Sequence, residues 1–130
     1  MAMPIELQVL AWTVVLGLAH VVVGAQLATM QNGLKWNASA RDQSKPLHGV
    51  AARVDRALKN YLETYAFFAA ALLAVVLAQR TSDTTATAAW TYLIARVIYI
   101  PLYAAGIPYV RTLVWLVSFI AIGVLVAALF

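Results

Sequence analysis

Arg53, Arg56, Asn60 and Glu63 stand at i, i+3, i+7 and i+10 of one continuous run, a spacing that predicts a single polar face on a helix. At 1.5 Å per residue that face is roughly 15 Å long. It leads directly into Thr64-Tyr65-Ala-Phe-Phe-Ala-Ala-Ala-Leu-Leu, so its inner end lies inside an apolar helix. Ionisable groups at such depth are costly, and they usually face a bundle interior, a partner charge or a wet cavity. Arg96, Tyr99 and Tyr103 repeat the pattern at i, i+3 and i+7, and Arg111 opens a further apolar stretch.

These residue types suit an anionic, peptide-like ligand. Guanidinium groups bind carboxylates bidentately and stay charged at any ordinary pH. Glu63 could hold a ligand ammonium or neutralise a neighbouring arginine, so a ligand with two carboxylates and one amine fits the set. Arg111 could face a ligand thiol and favour its thiolate, because a nearby cation lowers a thiol's pKa. The chain has no cysteine, so a sulfur nucleophile must come from the ligand; disulfides and a cysteine-based metal site are excluded, and no metal is expected. The competing reading is an intersubunit network in which Glu63 neutralises Arg56 or Arg96. Four arginines (Arg53, Arg56, Arg96, Arg111) against this one glutamate leave more positive charge than such a network needs, which favours a bound anion.

The elements that must position these groups are those of a membrane protein. Of 130 residues, 64% are hydrophobic and 11% charged, against about 25% charged in soluble domains. One domain spanning residues 1–130 is expected, all-α, an integral membrane four-helix bundle with helices at about 5–30, 49–79, 88–105 and 109–130. His20, mid-span, reads as a hydrogen-bonded packing residue, and Trp12, Trp36, Trp90 and Trp115 as belt or packing residues. Asp55 and Lys59 form an i, i+4 surface pair, Pro101 predicts a kink, and Gly106-Ile-Pro108 a tight turn. The net charge of +4 invites nucleic acid. However, the basic residues lie between apolar runs, as positive-inside topology requires, so no nucleic-acid partner is expected. Lys35, Arg41, Lys45, Arg53, Arg56 and Lys59 flank the first connection and Arg111 the third, whereas only Arg80 flanks the second. The first and third connections are therefore expected in the cytoplasm and both termini outside.

The motif Arg53-Val-Asp-Arg56-x3-Asn60-x2-Glu63, together with Ala95-Arg96-Val-Ile-Tyr99-Ile-Pro-Leu-Tyr103 and Arg111-Thr112, resembles the MAPEG family, the membrane-associated proteins in eicosanoid and glutathione metabolism. The resemblance covers all four expected spans. It implies a homotrimer holding glutathione between adjacent subunits near the cytoplasmic face. Arg56, Asn60, Glu63, Arg96, Tyr99 and Tyr103 match positions that contact glutathione, and Arg53 matches a further arginine of the motif. Arg111 falls at the arginine proposed to stabilise the glutathione thiolate. The family's synthases carry further arginines near the first connection; here Lys35 is nearest by spacing, with Arg41 the other candidate, and a lysine offers a point charge rather than a fork.

The expectation is thus a glutathione-dependent transferase or peroxidase, acting on lipophilic electrophiles or lipid hydroperoxides that arrive from the membrane lipids. Its brevity and the lack of a basic n-region at Met1–Glu6 suggest the inner membrane of a prokaryote. The alternative is a non-catalytic lipid-binding or scaffold protein with the same fold. A channel is disfavoured, since nothing polar continues the stripe from Phe67 to Leu77.

Overall fold

The computed structural model describes residues 3–40, 42 and 45–130, and these form five helices and no strand. Helix α1 spans Ile5–Asn32, α3 Gly49–Leu77, α4 Asp83–Ala104 and α5 Tyr109–Ala127; α2, Leu34–Asn37, is a single turn. Helix α1 ends at Gly33, whose φ of 89° suits glycine. Helix α4 begins at Asp83, five positions before its expected start. A reciprocal capping box of Ser82 and Thr85 satisfies two of the backbone donors that a helix start leaves open. It continues through Pro101 without a break.

The long helices alternate in direction. His20 Nε2 donates to the Val54 carbonyl at 3.2 Å, whereas Thr13 Oγ1 meets Tyr65 Oη at 3.0 Å, so α1 and α3 run antiparallel. Thr64 with Tyr92, and Arg53 with Ala104, set α3 antiparallel to α4 in the same way. Helix α4 also packs on α1, and α5 packs on α4 and α3; among the described residues α1 and α5 do not pack on each other. The core is built on stacked aromatics, with Phe68 and Tyr92 rings 3.9 Å apart and Tyr61 and Tyr65 rings 5.1 Å apart.

Helices α1, α3 and α5 are long and apolar enough to cross a membrane. The expectation of four spans is met by three on length and composition; α4 has the length, but Tyr92, Arg96, Tyr99, Pro101 and Tyr103 dilute its apolar character. Large side chains on the outer faces, such as Trp12, Leu18, Phe67, Leu113 and Ile120, are exposed on the single chain. That inverts the arrangement of a soluble protein and suits lipid or a neighbouring helix.

Candidate functional site

The polar residues of three helices meet in one cavity of about 500 Å³. Helix α3 contributes Arg56, Lys59, Asn60 and Glu63, α4 contributes Tyr99 and Tyr103, and α5 contributes Arg111, Thr112 and Trp115. The cavity lies where α4 hands over to α5. That turn is closed by Gly106 N–H to the Tyr103 carbonyl at 3.0 Å and Ile107 N–H to the Leu102 carbonyl at 3.0 Å, with Gly106 at φ 75°. This is the reverse turn that ends many helices, and it returns the chain so that the first turn of α5 faces the last turn of α4.

Tyr103 is the hub. Arg56 Nε donates to its hydroxyl at 3.2 Å, and the Arg111 guanidinium carbon stands 4.4 Å from its ring centroid. A guanidinium over a ring at that range is held by the ring's quadrupole. Two cations from different helices are thus brought together on one aromatic, and the Tyr99 ring packs 5.5 Å away. Neither arginine forms an ion pair: among the described residues the only one joins Lys59 to Asp55 at 3.0 Å. Glu63 is exposed on the single chain and also without an ion pair. The cavity therefore presents three cations and one carboxylate, all with binding capacity left over.

Not every residue singled out from the sequence reaches the cavity. Arg96 lies behind it, 1% exposed, with its guanidinium carbon 4.3 Å from the Tyr99 centroid and 5.5 Å from that of Tyr61. Its Nε and Nη1, and Asn60 Oδ1, are buried without a hydrogen-bond partner, a state that favours an added acceptor for the guanidinium, an added donor for the amide oxygen, or water for either. Arg53 donates from Nε to the Ala104 carbonyl at 2.8 Å and does not line the cavity. Lys35 is exposed on α2, also outside the lining, and Arg41 falls outside the described residues. His20 packs against Tyr61 with ring centroids 6.4 Å apart.

Lys59, Thr112 and Trp115 also line the cavity, although none of them was expected as a site residue. Lys59 had a signal: it stands at i+3 from Arg56 and four residues before Glu63, on the flank of the same face. Trp115 looked like an ordinary interfacial aromatic. With Glu63 it also borders a second, apolar hollow of about 720 Å³ between α3 and α5, lined by Phe67, Ala70, Phe119 and Ile122 among others.

Three helices of membrane-spanning length and a cation-rich cavity are what the chain offers for comparison. Its family follows from comparison. The model of the MAPEG family matches residues 9–130, nearly the whole chain and every residue of the cavity, and the chain belongs to that family. No curated protein and no solved structure matches it.

Proposed function

We propose that the protein is a membrane-bound glutathione-dependent transferase or peroxidase. The observation that carries this reading is the unpaired charge of the cavity: Arg56 and Arg111 converge on Tyr103, and among the described residues neither forms an ion pair with a carboxylate. In it, Arg56 and Lys59 bind glutathione carboxylates, Glu63 receives its ammonium, and Asn60 and Tyr99 complete the hydrogen bonding. Arg111 stabilises the thiolate, whose sulfur then attacks an electrophilic carbon, displacing its leaving group or adding to an activated double bond. With a lipid hydroperoxide it attacks the outer oxygen instead, breaking the O–O bond to release the lipid alcohol and leave a sulfenic acid that a second glutathione converts to disulfide and water. The apolar hollow that shares Glu63 and Trp115 with the cavity gives a lipophilic co-substrate access to that sulfur from the membrane. Exposure of Arg56 and Glu63 on the single chain fits a homotrimer in which a neighbouring subunit closes the site. The excess of basic residues around the first and third connections supports a cytoplasmic position for the cavity, in what we read as a prokaryotic inner membrane.

The test is an ultraviolet difference spectrum of detergent-purified protein titrated with glutathione, alongside Arg111→Ala and Glu63→Gln. A saturable thiolate band at neutral pH that disappears in Arg111→Ala is the expected result. Absence of the band, with no binding by calorimetry, would overturn the enzyme reading. It would favour the non-catalytic lipid-binding role, for which the apolar hollow is the supporting observation.

A further inference from the structure

Arg53 belongs to the same motif as Arg56, yet it is committed elsewhere. Its Nε donates to the carbonyl of Ala104, the last residue of α4, one of the carbonyls that a helix end leaves without an intrahelical donor. Its Cδ lies 3.8 Å from the point where a Cβ on Gly106 would stand. The side chain therefore lies along the α4–α5 turn. Two arginines three positions apart on α3 grip the end of α4, Arg56 through the Tyr103 hydroxyl and Arg53 through the next residue's carbonyl. Only Arg56 lines the cavity.

The turn that Arg53 holds lies between Tyr103 and Arg111, and it sets where α5 starts and hence where the Arg111 guanidinium falls over the Tyr103 ring. We infer that Arg53 is a positioning residue: it pins the α4–α5 turn through the Ala104 carbonyl and thereby holds Arg111 at the thiol end of the cavity. The chemical part of this role rests on the glutathione reading; the anchor does not. A cation donating to a helix's terminal carbonyl is also favourably placed in the field of that helix end, so the contact restrains the turn without a ligand present.

The chain has no cysteine, so a single nitroxide attached at Val110→Cys, an exposed position beside Arg111, reports motion of the turn with no ligand added. Three variants are placed in that background. Arg53→Met keeps the length and loses the donor, Arg53→Lys keeps a donor, and Gly106→Ala strains the turn from its other side, because a residue with Cβ is disfavoured at φ 75°. The label is expected to become more mobile in Arg53→Met and Gly106→Ala and to return toward the parent in Arg53→Lys. In the unlabelled protein at saturating glutathione, Arg53→Met loses most of the thiolate band. Its glutathione dissociation constant stays within about twofold, the scatter of independent sites. With Arg111→Ala already present, Arg53→Met changes the band no further.

An unchanged label in Arg53→Met overturns the anchor. An affinity loss as large as that of Arg56→Ala, without rescue in Arg53→Lys, makes Arg53 a direct ligand contact and overturns the positioning role. A parent protein with neither a thiolate band nor glutathione binding by calorimetry defeats the glutathione reading and the service given to the turn, while a mobilised label still upholds the anchor.

Discussion

The chain has two glutamates, and they stand in opposite circumstances. Glu6, at the start of α1, is 3% exposed, and its Oε1 accepts a hydrogen bond from Thr85 Oγ1 at 2.7 Å, beside the Ser82 cap of α4. Glu63 lines the cavity with no ion pair and an open side. The other polar groups divide in the same way. Along the core, Tyr61 donates to the Thr13 carbonyl at 2.6 Å, Tyr65 meets Thr13, and Tyr92 meets Thr64. In the cavity Arg56 and Arg111 meet on Tyr103 without an ion pair among the described residues, and Asn60, with Arg96 behind the cavity, keeps buried atoms without partners. A polar group placed in apolar surroundings is costly unless its partners are built in. Where the chain supplies them the group is structural; where it does not, the capacity is open to the ligand proposed above, although His20 Nδ1 in the core is also without a partner.

The largest effect that can test this division is at Arg111. Arg111→Ala is expected to lower turnover by about 10²–10³-fold, the cost of removing one charge-stabilising group from a reacting centre. Its unfolding midpoint should stay close to that of the parent, since the side chain is only half-buried. Steady-state kinetics and thermal unfolding of the same preparation measure both. At Glu63, Glu63→Gln keeps the shape and removes the charge that, in the proposed function, receives the ligand ammonium. A charge-assisted hydrogen bond is worth about 1.5–3 kcal/mol, so glutathione affinity should fall by roughly tenfold or more, again with little change in stability. Glu6→Ala is the converse. It takes the buried acceptor from Thr85 and should lower stability by about 1–2 kcal/mol while leaving the glutathione dissociation constant unchanged. Loss of binding in Glu6→Ala, or unfolding in Glu63→Gln, would erase the distinction between the two regions.

Much of the cavity was legible because charges are conspicuous in apolar runs. Arg56, Asn60 and Glu63 repeat at helical spacing, as do Tyr99 and Tyr103, and both sets reach the cavity. The motif was less informative about direction. At about 100° per residue, Arg53 lies roughly 60–80° round the helix from Arg56 and Glu63, enough to send it to the α4 terminus instead. Lys59 lies on the other flank of that face, where reading it as one half of a surface pair hid its second role. Thr112 and Trp115 depend on how the α4–α5 turn aims α5, which periodicity within one helix cannot express. The same holds for Thr13 and Tyr65, 52 positions apart, whose pairing depends on helix packing. The early start of α4 was missed because threonine stands at the third position of its capping box, where glutamate or glutamine is the usual signal.

The smallest effect separates the two roles of Lys59, which pairs with Asp55 at 3.0 Å and also lines the cavity. An exposed i, i+4 pair contributes only a few tenths of a kcal/mol. Asp55→Ala and Lys59→Ala break the same pair, so their unfolding free energies should fall by equal, barely measurable amounts. Their glutathione affinities should differ. Asp55→Ala leaves the ammonium free to face the ligand and should not weaken binding, whereas Lys59→Ala removes a cation from the cavity. Lys59 is 71% exposed, so its attraction for a carboxylate acts through a high dielectric, and the loss should stay below about fivefold. Being a screened interaction, it should shrink as salt is raised toward 0.5 M, where the Debye length is only about 4 Å. Calorimetric titrations of the two variants at low and high salt read all of this. Equal affinities in the two would return Lys59 to the helix surface and leave Arg56 and Arg111 as the only cations that the cavity offers an anion.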